Sequence, residues 1–329
     1  MSTARYIIYG AGGVGASLGA QLDQADREVV LIARGEHLRA IKEKGLEYRT
    51  PHGTTRLRLS AVGHPEELEF RSGDIIVLSM KTQDSLGALD QLEHSGVDDL
   101  VILCAQNGVT NERWALRRFE RVYGLAVWIP ASFTGPGVVS NYAPAAPIDL
   151  GRAPHGFDET GHDLVRDLRV SGFDAAAREN VMDWKYTKLL TNIQTTIDAV
   201  CGTREGLADV CERLREEAEA CYVKAGISLV PHAEHVERLR GAALAMGRID
   251  GAARSGGSSS QSLTRGVGSI ETNYINGEIV LLGRLHGVAT PANRVVQCLA
   301  NQLAKEGEGA TPIPVDTLHR LIQERSGAL

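Results

Sequence analysis

The sequence predicts an α/β protein in which a Rossmann-type doubly wound sheet at the N-terminus is followed by an all-helical C-terminal domain. Two observations lead to this class. Short β-branched runs alternate with helix-length segments in the first half, and from about residue 180 long helical patterns follow one another without a convincing strand. A chain of 329 residues is long enough for two domains. We place the boundary between residues 171 and 180 and assign 1–175 to the first domain and 176–329 to the second.

Seven segments of the first domain have the character of strands. Three of them lie in a region rich in proline and glycine, where we expect an antiparallel extension rather than more parallel sheet: residues 122–130, 137–141 and 146–151. The other four carry apolar residues at consecutive positions, which is typical of parallel strands buried on both faces: residues 5–10, 28–34, 74–80 and 99–108. One helix-length segment lies between the first two strands, as in a βαβ unit.

The composition argues against several classes of protein. Apolar residues at 43% and charged residues at 23% are ordinary for a globular chain, and the net charge of −6 argues against a nucleic-acid or membrane surface. No apolar stretch approaches the roughly 20 residues that span a bilayer, and the N-terminus runs directly into a predicted strand, so we expect a cytoplasmic protein. The five cysteines form no CxxC pair, which favours free thiols and no metal site.

The turn after the first strand has the sequence GAGGVG at residues 10–15, which fits the GxGxxG pattern of dinucleotide-binding folds. There the first glycine permits a tight turn, the second lets a pyrophosphate approach the backbone, and the third lets the helix pack on the strand. We therefore predict that Gly10, Gly12, Gly13, Val14 and Gly15 bind a cofactor. The alternative is a tight packing turn without a ligand.

The end of the second strand indicates which dinucleotide binds. NAD-preferring folds usually have an acidic residue there, whereas this chain has Arg34, and its nearest acid, Glu36, lies two residues later. A guanidinium can bind a 2′-phosphate through two hydrogen bonds, and Lys81, after the third strand, could reach the same phosphate. These residues favour NADP(H). The alternative is that both are solvated basic residues at strand ends.

Asn107 ends the fourth strand, where ligands of doubly wound sheets bind, so it is a candidate to bind the cofactor as well as the substrate. Asn-Gly is also a common turn dipeptide, so position alone leaves its role open. In the second domain Lys188, Asn192 and either Thr195 or Thr196 recur at helical spacing on one face. A helix lysine is usually solvated, but one that shares its face with Asn and Thr in an otherwise apolar helix is expected to point into a cleft.

Two further charged residues deserve comparison with Lys188. Lys185 lies three residues earlier and roughly 60° away around the helix, nearer its start, where we expect more access to solvent. Glu271, in a later helical segment, is an acidic candidate for the same site, although a solvated carboxylate is the commoner fate of such a residue.

These segments resemble the ketopantoate reductases (2-dehydropantoate 2-reductases), and the resemblance runs nearly from end to end. It rests on GAGGVG, on SMKT with Lys81, on QNGV with Asn107, on KLLTN with Lys188 and Asn192, and on SSSQSL followed by IETNYINGEIV. The resemblance implies NADPH-dependent reduction of the ketone of 2-oxopantoate to the alcohol of pantoate, a step towards coenzyme A.

The resemblance also assigns roles. It implies a catalytic Lys188, a substrate-binding Glu271 in the catalytic site, substrate contacts from Asn107 and Asn192, and a contact to the substrate carboxylate from Ser258 or Ser259. The chain departs from the family at Thr196, where a second asparagine is usual. Threonine donates one hydrogen bond but is shorter and lacks the amide acceptor, so another 2-oxo acid stays open as the substrate.

The chemistry of these residues agrees with that reaction. Hydride delivered to the carbonyl carbon leaves negative charge on the oxygen, which the Lys188 ammonium would stabilise and protonate. Asn192, with Thr196 after it, would orient the substrate, and Glu271 would hold a hydroxyl or the lysine. We expect both ligands to meet in a cleft between the domains.

Two other readings remain. The chain could be another NADPH-dependent 2-oxo acid, β-hydroxyacid, glycerol-3-phosphate or imine reductase of the same bipartite plan. It could also be a regulator that binds NADPH without turnover, which would need neither Lys188 nor Glu271. The expected partner is a small 2-oxo acid, without nucleic acid or membrane. A homodimer stays open, because the sequence says nothing about assembly.

Overall fold

The fold is described from a computed structural model, in which the chain divides into two compact units. Unit 1 comprises Met1–Lys185 and Val230–Arg254, and unit 2 comprises Tyr186–Leu229 and Ser255–Leu329. The chain therefore passes from one unit to the other three times. Apart from the side chains of 241–245, the structure describes residues 4–254, 256–257, 260–261, 263, 268–307 and 309–327.

Strands and helices are mixed as far as β12, and the described elements after it are helical. In chain order the strands are β1 (Arg5–Tyr9), β2 (Glu28–Ile32), β3 (Leu46–Thr50), β4 (Gly53–Leu57), β5 (Ser60–Val62), β6 (Ile75–Leu78), β7 (Val101–Cys104), β8 (Arg121–Val127), β9 (Ala131–Gly135), β10 (Val138–Asn141), β11 (Pro147–Arg152) and β12 (Asp174–Ala177). The helices are α1 (Gly13–Gln24), α2 (Gly35–Lys44), α3 (Ser85–Glu93), α4 (Asn111–Ala115), α5 (Glu159–Val170), α6 (Val181–Cys201), α7 (Ala208–Ala225), α8 (His232–Ala245), α9 (Asn276–His286), α10 (Pro291–Glu306) and α11 (Val315–Gly327).

Unit 1 is built on an eight-stranded sheet with the order β12-β11-β8-β7-β6-β1-β2-β5. The six strands from β5 to β8 in this order are parallel, β11 is antiparallel to β8, and β12 is parallel to β11. The predicted Rossmann-type sheet is confirmed. The expected antiparallel extension is correct for β11 and wrong for β8, which continues the parallel sheet beside β7.

The central strands are buried on both faces, as their apolar runs predict. All five residues of β1 are buried. Tyr6 and Ile8 belong to the core on one face of the sheet, and Ile7 and Tyr9 belong to the core on the other. Alternate side chains of a strand point to opposite faces, so a strand with apolar residues at every position can fill two cores at once.

A smaller four-stranded sheet in unit 1 has the order β4-β3-β10-β9. The hairpin of β3 and β4 was not predicted, because its strands carry charged and polar side chains at many positions. β10 corresponds to the strand predicted over 137–141, but it pairs with β3 and β9 rather than with the main sheet. This sheet packs along α1.

Unit 2 is helical in its described residues, as predicted. It contains most of α6, together with α7, α9, α10 and α11. The segment predicted as a helix over 269–287 divides into a short 3-10 helix, Glu271–Tyr274, and α9. α7 packs against α9 and α10, and α10 packs against α11. α11 was not predicted, although its buried Leu318 and Ile322 have the spacing of one helix face.

α8 belongs to unit 1, although its sequence neighbours belong to unit 2. Arg238 of α8 donates to Asp149 of β11, to Asp174 of β12 and to the carbonyl of Ile148. The sequence assigns this helix to the C-terminal domain, whereas in the structure it belongs to unit 1. The assignment of nucleotide binding to 1–175 and of catalysis to 176–329 stays a prediction.

Candidate active site

The glycines of the β1–α1 turn meet different surroundings. Gly10 has φ +105°, and a Cβ on it would lie 2.5 Å from the backbone nitrogen of Met80. A Cβ on Gly15 would lie 2.4 Å from the carbonyl oxygen of Gly10, whereas a Cβ on Gly12 would meet no atom within 4 Å. Gly10 and Gly15 are therefore required by packing, and the side of the turn at Gly12 is open.

This open side lies at the N-terminus of α1, where Gly12 is the N-cap and makes no side-chain capping hydrogen bond. The N–H groups of the first turn, which begins with Gly13 and Val14, have no acceptor within the helix and bear the positive end of its dipole. The turn thus offers close backbone approach and unpaired donors together. This geometry fits the pyrophosphate of a dinucleotide.

His37, which the sequence analysis did not predict as important, is hydrogen-bonded to the β1–α1 turn. Its Nδ1 accepts a hydrogen bond from the backbone N–H of Gly137 at 2.9 Å, so Nε2 carries the proton and donates to the carbonyl of Ala11 at 2.7 Å. Burial lowers the pKa of this imidazole, and the hydrogen bond to Ala11 opposes the shift in part. The neutral ring therefore links α2, the glycine turn and the β9–β10 hairpin.

The predicted 2′-phosphate residues lie at the carboxyl ends of the strands on either side of β1. Arg34 is exposed and is the N-cap of α2, two residues after the end of β2. Lys81 is half-buried and precedes the short 3-10 helix Thr82–Asp84 after β6. Glu36, the nearest acid, is exposed and paired with Arg39. No acid therefore occupies the position directly after β2.

Asn107 lies after β7 at the same edge of the sheet. It is half-buried, and Gly108 after it has φ +80°. Thr82 Oγ1 lies 3.5 Å from the carbonyl of Asn107, and Asn111 donates to the same hydroxyl at 3.2 Å. Unit 1 thus brings the glycine turn, Arg34, Lys81 and Asn107 to one edge, where doubly wound sheets bind their ligands.

Lys185 is not accessible to solvent, and our expectation for it is wrong. It is 3% exposed and forms a buried ion pair with Glu112 of α4. Its ammonium also donates to the carbonyls of Cys104 at 3.3 Å and Gln106 at 3.2 Å. No local pattern indicates this pair, because Glu112 lies 73 residues before Lys185.

In unit 2, α6 carries the predicted catalytic lysine and its polar neighbours. Lys188 is 9% exposed and Asn192 is half-buried. Thr195 donates to the carbonyl of Asn192 at 2.8 Å. Thr196 is fully buried, and its Oγ1 has no hydrogen-bond partner among the described residues. A lysine this buried in a polar stripe is a candidate for a functional role.

Glu271 lies in the 3-10 helix before α9 and is 6% exposed. Its segment is tied to α6 by Asn276, which donates to the carbonyl of Ile193 and to Oδ1 of Asn293, each at 3.1 Å. Asn293 donates in turn to Glu217 at 2.9 Å. This buried network holds the Glu271 segment against the helix that carries Lys188 and Asn192.

Glu217 anchors the network. Its carboxylate accepts from the backbone N–H groups of Ala292 and Asn293 at the start of α10, while burial raises its pKa. The sequence reasoning missed Glu217 and Asn293. Of the residues in this network, only Asn276 could be recognised from the sequence, because it lies within the motif IETNYINGEIV.

Two predicted substrate residues, Ser258 and Ser259, lie outside the described residues. Within the described part of the chain, no group of three or more His, Cys, Asp or Glu side chains could hold a metal ion. Each helix that the structure describes is too short or too polar to cross a bilayer. All five cysteines are free thiols.

Comparison with known proteins gives consistent matches over both halves of the chain. The family model described as Ketopantoate reductase PanE/ApbA matches residues 6–155, and the model of its C-terminal part matches residues 180–304. The 2-dehydropantoate 2-reductase of Pyrococcus horikoshii is 26% identical over 303 residues, which cover 92% of this chain and 97% of its own. That of Mesorhizobium japonicum is 26% identical over 333 residues, covering 91% and 97%.

Solved structures share the fold. The crystal structure of a PanE/ApbA family ketopantoate reductase from Ralstonia eutropha JMP134 has a TM-score of 0.78 at 25% identity, over 92% of this chain and 99% of that one. The ternary structure of D-mandelate dehydrogenase with NADH and anilino(oxo)acetate has a TM-score of 0.76 at 23% identity, with the same coverage of 92% and 99%. At that identity the second likeness concerns the fold alone.

Proposed function

Because the chain belongs to the ketopantoate reductase family, and is thus an oxidoreductase that uses a nicotinamide dinucleotide, we propose that it reduces 2-dehydropantoate to pantoate with NADPH. The observation that carries the proposal is the site of unit 2. There a buried lysine, Lys188, shares a helix with Asn192, and a buried network ties that helix to the segment of Glu271. Buried ionisable groups of this kind are typical of active sites.

Each residue would have a defined task. The cofactor, when bound, supplies the hydride to the carbonyl carbon. Lys188, as an ammonium, stabilises the charge that grows on the carbonyl oxygen and protonates it, a contribution typically worth about 10²- to 10⁴-fold. Asn192 and Asn107 orient the 2-oxo acid, and Glu271 holds its hydroxyl or the lysine. Product formation would place the reaction in coenzyme A biosynthesis.

Turnover of a substrate panel tests this function. NADPH oxidation would be followed with 2-dehydropantoate, with other branched 2-oxo acids and with a cyclic imine. We expect the highest kcat/KM for 2-dehydropantoate. Saturable NADPH binding without oxidation by any panel member would contradict the proposal and support a regulator that binds the cofactor without turnover.

One observation favours a second candidate, a reductase of a different 2-oxo acid. Thr196 occupies the place of the usual second asparagine, and its buried Oγ1 has no partner among the described residues. A shorter side chain there changes the room and the hydrogen bonding offered to the substrate. A higher kcat/KM for another branched 2-oxo acid, which the variant Thr196→Asn shifts back towards 2-dehydropantoate, would establish this alternative.

The preference for NADPH rests on Arg34. No acid lies at the end of β2, and the exposed Arg34 guanidinium, which also interacts with the Tyr9 side chain, would bind a 2′-phosphate there. Losing a charge-assisted, two-bond contact costs about 1.5 to 3 kcal/mol, so Arg34→Ala should weaken NADPH binding roughly 10- to 150-fold and NADH binding far less. Fluorescence titration measures both affinities. Arg39→Ala, on the same helix, is the control, and an equal loss for NADPH and NADH would contradict the assignment.

Two further proposals concern the cellular location and the oligomeric state of the protein. A small-molecule biosynthetic reductase that uses NADPH suits the cytoplasm, and cell fractionation would test this. For assembly, a homodimer stays a prediction, which light scattering of the purified protein would test.

A further inference from the structure

We propose that the buried ion pair of Lys185 and Glu112 is a positioning device for the loop 105–110, which carries Asn107. The inference rests on the proposed function only in assigning Asn107 to ligand binding. The pair lies within unit 1 and is almost fully excluded from solvent, with side-chain exposures of 2% for Lys185 and 1% for Glu112.

Lys185 holds the loop at both ends. Its ammonium donates to the carbonyl of Cys104, the last residue of β7, and to the carbonyl of Gln106, directly before Asn107. Its third contact is Glu112, in the helix that follows the loop. A lysine has three N–H donors, and all three are used here. Lys185 therefore acts as a structural cation rather than as a proton donor to a ligand.

The turn after β6, together with the first residue of α3, contacts the loop and the first residue of α4. Gln106 donates to the hydroxyl of Ser85 at 3.0 Å, and Asn111 donates to the hydroxyl of Thr82 at 3.2 Å. The loop is thus clamped between this turn and Lys185. Without the lysine, the carbonyls of Cys104 and Gln106 at the start of the loop would lose this donor, and Glu112 after the loop would lose its cation, while the contacts to Thr82 and Ser85 remained.

Buried acceptor atoms lie close together in the loop and at the start of α4. Three buried side-chain oxygens have no hydrogen-bond partner among the described residues: Gln106 Oε1, Asn111 Oδ1 and Glu112 Oε2. The three N–H groups of Lys185 are therefore not redundant. A buried ion pair can often be replaced by apolar residues without loss of stability, so stability alone does not explain a charged pair at this place. Its contacts point to control of the loop conformation.

The test replaces both charges at once, so that neither is left buried and unpaired. The variant Lys185→Met with Glu112→Leu is compared with Arg5→Met with Asp74→Leu. The second pair is also a buried ion pair of unit 1, joined at 3.0 Å, but it lies at the opposite, amino end of β1 and β6. Hydrogen exchange of residues 105–110 is measured without ligand, and NADPH affinity is measured by fluorescence titration.

We expect faster exchange in the loop and a roughly 3- to 10-fold weaker NADPH affinity in the first variant, with an unchanged loop and an affinity within about twofold in the control. Wild-type exchange in the loop together with wild-type affinity would overturn the proposal, whatever the thermal stability. If the first variant does not fold, Lys185→Met with Glu112→Gln is judged by the same criteria.

The two proposals fail separately. Absence of 2-dehydropantoate turnover by the wild-type protein would count against the proposed function alone. Loop exchange needs neither substrate nor cofactor, so it decides the role of Lys185 in either case.

Discussion

Lys185 and Lys188 lie one turn apart on α6 and have different chemical surroundings. Lys185 donates to a carboxylate and two carbonyls, which fixes its ammonium in place. Lys188 lies in a stripe with Asn192 and Thr196, in the unit that also holds Glu271. A proton donor must give its proton to a ligand. Lys188 is therefore the candidate proton donor, and Lys185 has a structural role.

We therefore predict that Lys188→Ala lowers kcat by at least about 10²-fold, with little change in NADPH affinity, because proton donation and charge stabilisation are both lost. Lys188→Arg keeps the charge but cannot give up its proton at neutral pH, so kcat should stay low. Steady-state kinetics measures both. Lys224→Ala, at an exposed position of the same unit, is the control. Turnover retained in Lys188→Ala would place the proton donor elsewhere.

His37 gives a pH dependence whose sign follows from its hydrogen bonds. The folded protein needs the neutral ring, and burial lowers its pKa below the ordinary value of about 6.5. On acidification the unfolded chain takes up the proton first, so this stabilisation is complete above about pH 6.5 and is lost as the pH falls through the lowered pKa.

We predict that His37→Gln reduces the fall in Tm between pH 7.5 and about 5.5, because an uncharged amide can donate to Ala11 and accept from Gly137 at every pH. Thermal melts of wild type and variant across this range measure the difference. His94→Gln, at an exposed position, is the control. Parallel melting curves for wild type and His37→Gln would show that another group titrates.

At the scale of elements, different glycines of the β1–α1 turn serve packing and ligand binding. Gly15→Ala brings a methyl group to 2.4 Å from a backbone oxygen, so we predict a loss of about 1 to 3 kcal/mol in the free energy of unfolding. Gly12→Ala points its methyl into open space and should leave stability nearly unchanged, while it weakens NADPH binding at least about tenfold. Urea unfolding and fluorescence titration measure the two effects. Equal stability losses would contradict the distinction.

Sequence patterns predicted the main elements well where burial is uniform. β1, β2, β6 and β7 are apolar at nearly every position, and only strands buried on both faces require that. β3 was missed because Glu47 and Arg49 interrupt its pattern, and they find partners in Arg56 and in each other. Such partners become visible only when the hairpin is folded.

At the scale of the whole molecule, long-range contacts hold α8 to unit 1, and the buried Asp149 is central to them. Asp149 is fully buried on β11, and its Oδ1 accepts from Arg178 at 2.8 Å and from Arg238 of α8 at 3.0 Å. Burial raises the pKa of this carboxyl, and the two guanidinium groups oppose that shift. The partners Asp149 and Arg238 are 89 residues apart, so the local sequence could not assign α8 to unit 1.

We predict that Arg238→Met lowers the free energy of unfolding of unit 1 by about 3 kcal/mol, because the buried carboxylate loses one of its cations. Arg240→Met, which removes an exposed pair with Glu237 on the same helix, should change it by less than about 0.5 kcal/mol. Tryptophan fluorescence during urea unfolding is a suitable signal, since all three tryptophans belong to unit 1. Equal effects of the two variants would contradict the anchoring role.

The order in which the chain leaves the ribosome has a consequence for unit 1. The last part of that unit, residues 230–254, is synthesised only after residues 186–229 of unit 2, and it ends 69 residues beyond Lys185. Synthesis proceeds at about 5 to 20 residues per second, so this segment, which includes Arg238, is completed roughly 3 to 14 s after Lys185. During that interval the nascent sheet exposes the surface that α8 later covers, which is when a chaperone would be expected to bind it.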